Sequence, residues 1–65
     1  MNVQLNGEGH TTTATTLADL LIEQGYKGAK LATAVNGDFV PAAMRATHEI
    51  KPGDQIEVLA PMQGG

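Results

Sequence analysis

The chain contains no cysteine and no tryptophan, and it has only one tyrosine and one phenylalanine. Without cysteine it has no disulfide framework, no Cys-based zinc site and no nucleophilic thiol. Its four cations are dispersed among seven acidic residues, which leave a net charge of −3. Because nucleic-acid binding usually needs a clustered basic surface and aromatic stacking, no nucleic-acid partner is expected. An acidic chain of this kind is expected to meet a basic protein surface instead.

Long apolar runs are also absent. No stretch approaches the roughly 20 apolar residues of a membrane span, and the chain does not open with a basic segment followed by an apolar one. We therefore expect a soluble, cytoplasmic protein with no membrane partner. At 65 residues there is room for one domain, near the lower size at which a core suffices without disulfides or metals. His10 and His48 stand apart from other metal ligands, so no metal site is expected.

The first half of the chain predicts a hairpin and then a helix. Val3 and Leu5 alternate with polar residues before an Asn-Gly pair at 6–7, which favours a type I′ turn, and the return strand is expected over 8–13. Thr16 supplies a capping hydroxyl with an acid three residues later, and leucines recur at helical spacing at positions 17, 20 and 21. The helix should end near Gly25, which suits the left-handed conformation after a helix.

The second half predicts three more strands. Residues 26–30 form a linker, 31–35 alternate large and small residues, and a second Asn-Gly pair at 36–37 leads into a short strand that Pro41 ends. Residues 42–45 are expected to form a short helical turn. A Pro-Gly-Asp turn at 52–54 then precedes a final alternating strand over 56–60. The sequence thus predicts an α+β domain over 1–60, a mixed sheet of about five strands with one helix on one face, and an extended flexible tail over 61–65.

The tail ends in Gly64-Gly65, preceded by Pro61, Met62 and Gln63. Two residues without a Cβ make a thin end that can enter a narrow channel and present a bare carboxylate. Chance gives two terminal glycines in roughly one chain in 200 at average composition, and a cloning scar or a frayed end would look the same. The pair gains meaning only if a compact domain ends just before it.

Three segments carry a resemblance to a known family: VNGDFVP at 35–41, PGDQIEV at 52–58 and PMQGG at 61–65. In these segments and in element order the chain resembles the β-grasp, ubiquitin-like sulfur carriers, and most closely the ThiS-like carriers of the thiamin pathway. One position departs from the pattern. ThiS-like chains often carry an arginine directly after the Val-Pro pair, where this chain has Ala42, with Arg45 three residues later.

The resemblance implies a carrier and not an enzyme, with no catalytic residue and no bound cofactor. An adenylyltransferase of the ThiF type would use ATP to activate the Gly65 carboxylate, a persulfide would supply sulfur, and a thiazole synthase of the ThiG type would consume the resulting thiocarboxylate. Gly64, Gln63, Met62 and Pro61 would thread the partners' active sites. Independently of the resemblance, no set of base, nucleophile and orienting group is evident in the sequence.

The docking surface is less well specified by the sequence. Phe39, in the second hairpin, is expected either to pack in the core or on a sheet face, or to anchor an interface. We predict that Phe39 and Val58 belong to a partner-binding surface. Three alternative functions remain open at this stage: a carrier like the small subunit of molybdopterin synthase, a ubiquitin-like protein modifier, and a binding module in which the tail plays no part.

Overall fold

The computed structural model of the chain describes residues 1–26 and 30–60, which form a five-stranded sheet with one helix against one face. The elements, in chain order, are β1 (Asn2–Leu5), β2 (Glu8–Thr11), α1 (Leu17–Glu23), β3 (Ala32–Val35), β4 (Asp38–Val40), a 3-10 turn (Ala42–Met44) and β5 (Gln55–Leu59). The spatial order of the strands is β2-β1-β5-β3-β4. The predicted linker falls partly on residues 27–29, and the predicted tail on 61–65, both outside the described residues.

Both predicted Asn-Gly hairpins are confirmed. Asn6 and Gly7 have φ angles of 51° and 84°, and Asn36 and Gly37 have φ angles of 54° and 87°. Positive φ at both central positions is what a type I′ turn requires, and it matches the right-handed twist of the strands on either side. The hairpins pair β1 with β2 and β3 with β4, both antiparallel.

The return strand β2 ends at Thr11, two residues earlier than predicted. Thr11 lies opposite Asn2, where β1 begins, so the following residues have no further strand residue to pair with. Thr12 instead donates its backbone N–H to the Met1 carbonyl at 2.8 Å. Its buried hydroxyl donates to the Glu23 carboxylate at 2.6 Å, which ties the end of the hairpin to the helix.

Strand β5 lies at the centre of the sheet and joins the two hairpins. It runs parallel to β1, with Leu5 opposite Ile56, and antiparallel to β3, with Thr33 opposite Val58. The sheet is therefore mixed, as predicted. Because successive side chains of a strand point to opposite faces, Ile56 and Val58 lie beneath the helix while Glu57 and Leu59 lie on the outer face.

The helix begins and ends as its sequence predicts. Thr16 is the N-cap, and its hydroxyl accepts the Asp19 backbone N–H at 3.2 Å. Gly25 follows the C-cap residue with φ of 82°. The first two helical N–H groups, which have no partner within the helix, donate to the carbonyl oxygens of His48 and Arg45 at 2.9 and 3.0 Å. The segment after β4 thus completes the start of the helix.

The helix and the inner face of the sheet enclose one hydrophobic core. Its buried members among the described residues are Val3, Ala14, Leu17, Leu20, Leu21, Val35, Val40, Ile50, Ile56 and Val58. The predicted end of the fourth strand before Pro41, the helical turn after it and the turn at Pro52-Gly53-Asp54 are all confirmed.

Candidate functional site

The strand that leads to the terminal diglycine is the central one. β5 ends at Leu59, and Ala60 is the last residue that the structure describes. The sequence-predicted site residues Gly65, Gly64, Gln63, Met62 and Pro61 lie beyond it, outside the described residues, and their roles remain predictions. What the structure does show is the surface that surrounds the point where the chain leaves the sheet.

The outer face of the sheet carries an apolar groove next to the end of β5. The groove has a volume of ≈ 270 Å³ and is lined by Asn6, Ala32, Thr33, Ala34, Phe39, Glu57 and Leu59. Phe39 and Leu59 are 68% and 72% exposed, so an aromatic ring and an aliphatic side chain both lie open on this surface of the described chain. The groove lining contains one carboxylate, that of Glu57, and no cation. It will be called the β5 groove.

Strand pairing explains why these residues meet. Ala34 lies opposite Phe39 on one side and opposite Glu57 on the other, and Ala32 lies opposite Leu59. Small alanines on β3 therefore separate the large side chains of β4 and β5, which leaves a depression between them. Ala32 and Leu59 are 27 positions apart in the sequence, so only the sheet brings them together.

Of the two residues predicted for the docking surface, Phe39 is exposed and Val58 is buried. Phe39 lies on the outer sheet face and not in the core, and its role as an interface anchor stays a prediction. The prediction for Val58 was wrong, because Val58 is only 5% exposed and packs in the core beneath the helix. Glu57 and Leu59, its neighbours along β5, occupy the outer face in its place.

Leu59 is the residue that sequence reasoning missed. Its signal was available, because a leucine stands on the face that an alternating strand otherwise gives to the polar residues Gln55 and Glu57. One exposed leucine alone is ordinary, but here it adjoins the exposed Phe39, and a contiguous apolar patch is what indicates an interaction surface.

Arg45 is not part of this surface. It is 7% exposed, its Nε donates to the Thr33 hydroxyl at 3.1 Å, and its Nη2 donates to the Leu31 carbonyl oxygen. The Thr33 hydroxyl in turn donates to the Val40 carbonyl at 2.7 Å. Arg45 therefore connects the segment after β4 to strand β3, and its guanidinium is turned into the domain.

A polar cluster lies on the other side of the domain, between β2 and the end of the helix. His10 Nε2 is 3.3 Å from a Glu23 carboxylate oxygen and 2.8 Å from the Gln24 side-chain nitrogen. The hydrogen bond from the Thr12 hydroxyl is the main cause that holds the pKa of Glu23 below its ordinary value. These contacts connect the first hairpin to the helix and do not reach the β5 groove.

Within residues 1–26 and 30–60, no group of three or more His, Cys, Asp or Glu side chains is arranged to hold a metal ion. Among the same residues, no helix is both long and apolar enough to cross a membrane. The described residues do present an apolar groove with one negative charge, that of Glu57, beside the end of β5.

One helix on a five-stranded mixed sheet, with a central final strand that leads to the C-terminus, defines a β-grasp protein. The chain belongs to the ThiS family, whose family model matches residues 3–65. It is similar to the crystal structure of the thiamine biosynthesis protein ThiS from Geobacter metallireducens, with 26% identity, a TM-score of 0.83 and complete coverage of both chains.

The solution structure of a thiamine biosynthesis protein from Geobacter metallireducens is also similar, with 26% identity and a TM-score of 0.82. This comparison covers all of the present chain and 88% of the other. No curated protein sequence matches the chain. The family and the fold expected from the three sequence segments are thus confirmed, and the fold is the β-grasp.

Proposed function

We propose that this protein is a sulfur carrier for the thiazole ring of thiamine and that Gly65 is its reacting residue. The observation that supports this most is the family match, which extends over residues 3–65 and so includes the terminal diglycine. The protein acts as a co-substrate of its partner enzymes in the cytoplasm, binds no cofactor of its own, and contributes a carboxylate in place of a catalytic group.

The free carboxylate of Gly65 is a poor acylating group, so it must first be activated. A ThiF-type adenylyltransferase joins the Gly65 carboxylate to the α-phosphate of ATP and releases pyrophosphate. The terminal sulfur of a persulfide attacks the activated carbonyl carbon and expels AMP, which gives an acyl disulfide. A second thiol then attacks the persulfide donor's sulfur in this acyl disulfide, forms a disulfide with it and releases the acyl sulfur. Gly65 is left as a thiocarboxylate, which a ThiG-type thiazole synthase consumes.

Two features of this chain suit that role. Gly64 and Gly65 carry no Cβ that could clash in a narrow active site. The chain has no cysteine, so no thiol of its own can capture the activated carbonyl. The domain supplies proximity, because its docking turns the encounter between the terminus and the partner's reactive groups into a step within one complex.

We assign the docking to the β5 groove. Phe39 and Leu59 offer aromatic and aliphatic contact area on either side of Ala32 and Ala34, and Glu57 is the one charged residue of the lining. An apolar surface with one central carboxylate fits a partner surface that is apolar and carries one arginine or lysine. The groove adjoins the end of β5, so a partner seated on it is also next to the root of the tail.

Intact-mass measurement tests the proposal directly. The full chain is incubated with ATP, a ThiF-type enzyme and a persulfide donor, beside a chain that lacks Gly65 and beside Gly65→Ala as a length-matched control. We expect only the full chain to exchange one oxygen for one sulfur efficiently. Equal conversion of the chain that lacks Gly65, or no conversion by an enzyme active on another carrier, contradicts the proposal.

The same reaction distinguishes the alternatives. A protein modifier would instead form an adduct with a lysine of another protein, with loss of water and no gain of sulfur. A binding module would keep its function without Gly65, whereas a carrier or a modifier would lose it. The ThiS family match supports the thiazole branch over a carrier like the small subunit of molybdopterin synthase, and supply of the thiocarboxylate product to either synthase tests that choice.

A further inference from the structure

Two asparagines, one at the end of β1 and one at the end of β3, each bond to the central strand from its two opposite flanks. Asn6 donates its backbone N–H to the Ile56 carbonyl at 2.8 Å, and its side-chain Oδ1 accepts the Val58 backbone N–H at 2.8 Å. Asn36 donates its backbone N–H to the Gln55 carbonyl at 2.7 Å, and its Oδ1 accepts the Gln55 N–H at 2.9 Å. Each residue therefore makes a pair of bonds to β5.

In each pair the side chain replaces the residue's own backbone carbonyl. A regular parallel ladder would pair the Val58 N–H with the backbone carbonyl of Asn6, and a regular antiparallel ladder would pair the Gln55 N–H with that of Asn36. The positive φ of both residues, 51° and 54°, belongs to the hairpin turn, where the carbonyl no longer faces β5. The side-chain oxygen supplies the missing acceptor.

This replacement accounts for asparagine at the first central position of both turns. Glycine tolerates positive φ equally well and would satisfy the turn. It has no side-chain acceptor, so the N–H groups of Val58 and Gln55 would lose their partners. Asparagine alone meets both needs without adding a charge to the sheet.

The two contacts differ in their distance from the tail. Gln55 is the first residue of β5, whereas Val58 is the second residue before Ala60, where the described chain ends. Strand β1 pairs with β5 only at Gln55 and Ile56. Beyond these residues the Asn6 side chain is what holds β5 on the β1 flank, while β3 continues to pair on the other flank as far as Leu59.

We propose that Asn6 is a positioning residue, which fixes the direction in which the chain leaves the sheet toward Gly65. The inference rests on the proposed function for its kinetic consequence. With the Asn6 bond in place, both flanks of β5 are held up to Val58, which fixes the direction of the strand at its end. Without it, the last residues of β5 pivot on β3 alone, and the terminal carboxylate reaches the partner's reactive groups less often in the productive geometry.

The matched variants are Asn6→Gly and Asn36→Gly. Both keep the turn and both remove a side-chain acceptor from β5. Asn36 also donates to the Asp54 carboxylate at 3.0 Å, so its variant loses at least as much hydrogen bonding. The two acceptor sites are separated by three residues of β5, roughly 10 Å along the strand. A purely structural effect therefore appears in both variants, and an effect on the tail appears only in Asn6→Gly.

Adenylation kinetics are measured with a ThiF-type enzyme at a temperature where circular dichroism shows that every variant is folded. We expect Asn6→Gly to lower kcat about tenfold, with KM within about twofold of the original chain, since Phe39 and Leu59 still supply the apolar contact area of the groove while delivery of the carboxylate is impaired. Asn36→Gly should change both constants by less than about twofold. Asn6→Asp, which keeps an acceptor and tolerates positive φ, should restore kcat.

Equal kinetics for the two glycine variants overturn the inference. So does a change in KM alone, because Asn6 also lines the β5 groove and would then act through docking. Amide exchange provides a readout without any partner: the Val58 N–H should exchange about fivefold faster in Asn6→Gly and unchanged in Asn36→Gly. If the original chain is not adenylated, the proposed function fails, and the exchange measurement alone decides whether Asn6 holds the end of β5.

Discussion

Replacement of Arg45 by methionine tests whether this buried cation is a structural residue. Methionine keeps much of the aliphatic length and removes the guanidinium, which donates to Thr33 and to the Leu31 carbonyl. Hydrogen bonds to charged groups contribute about 1.5–3 kcal/mol each, so two of them represent roughly 3–6 kcal/mol. Burial of the cation costs several kcal/mol, which the substitution relieves.

The balance of these effects sets the expected result. Arg45 is 7% exposed, and the acceptors that it leaves behind are at least partly buried, which costs about 1–3 kcal/mol in itself. We expect Arg45→Met to lower the free energy of unfolding by about that amount. For 65 residues, the total free energy of unfolding is roughly 3–10 kcal/mol at 0.05–0.15 kcal/mol per residue. The loss is therefore large enough to measure and small enough to leave a folded variant.

Urea unfolding followed by far-ultraviolet circular dichroism is the suitable assay, because the chain has no tryptophan and one tyrosine. With a slope near 1 kcal/mol/M for a small domain, the midpoint should fall by about 1–3 M. A double-mutant cycle with Thr33→Val isolates the bond between the two side chains, and we expect a coupling of about 1 kcal/mol. Arg45→Lys should not rescue stability, since a lysine ammonium cannot reproduce two donors at fixed angles.

Two results would refute the reasoning. If Arg45→Met is as stable as the original chain, the relief of desolvation outweighs the hydrogen bonds and the arginine does not stabilise the fold. If the variant stays folded but its KM for adenylation rises severalfold, Arg45 contacts the partner despite its burial. We expect KM within about twofold of the original, because a guanidinium turned into the domain presents little surface to a partner.

Three further predictions concern other parts of the domain. Phe39→Ala should raise KM for adenylation about tenfold or more while leaving stability and kcat unchanged. Met44→Ala, at a residue that is exposed outside the β5 groove, should leave KM unchanged as well, and equal KM values for the two variants would show that the groove is not the docking surface. Leu20→Ala should lower the free energy of unfolding by about 2–5 kcal/mol because this side chain is fully buried. Ile22→Ala, at a 73% exposed position of the same helix, should lower it by less than about 0.5 kcal/mol, and similar losses for the two variants would contradict the burial of the Leu20 face. The hydrogen bond from Thr12 lowers the pKa of Glu23 from an ordinary value of 4.5, so the Glu23 carboxylate stabilises the fold above about pH 4.5 and this contribution is lost as pH falls through the folded-state pKa. The urea midpoint should therefore drop more steeply from roughly pH 6 to pH 3 in the original chain than in Glu23→Gln, and parallel curves for the two proteins would contradict this.

Features that depend on a few neighbouring residues were predictable from the sequence. The two Asn-Gly turns, the Thr16 cap, the end of the helix before Gly25 and the termination of β4 at Pro41 all follow from local backbone preferences. The family was also recognisable, because the segments at 35–41, 52–58 and 61–65 carry a specific pattern of residues. As the one large aromatic residue of a hairpin, Phe39 is also a candidate for the docking surface from the sequence.

The docking surface shows where this local reasoning is incomplete. Alternation along β5 separates Ile56 and Val58 from the polar Gln55 and Glu57 and so indicates that Val58 is buried, but it does not say what lies beside the outer face of the strand. Ile56 and Val58 are buried because β5 lies between β1 and β3, directly beneath the leucines of the helix. The same alternation puts Leu59 on the outer face beside Phe39, and no local preference joins two residues that are 20 positions apart in the sequence.

The sequence by itself determined the turns, the caps, the order of the elements and the family, since these depend on contacts within a few residues or on motifs that are contiguous in the chain. Only the tertiary structure decided that β5 is central, that Arg45 turns inward onto Thr33, and that the Asn6 side chain holds Val58 across 52 positions of sequence. Such contacts form when hydrophobic burial brings distant strands together, because the free energy gained belongs to the whole core and not to any one segment.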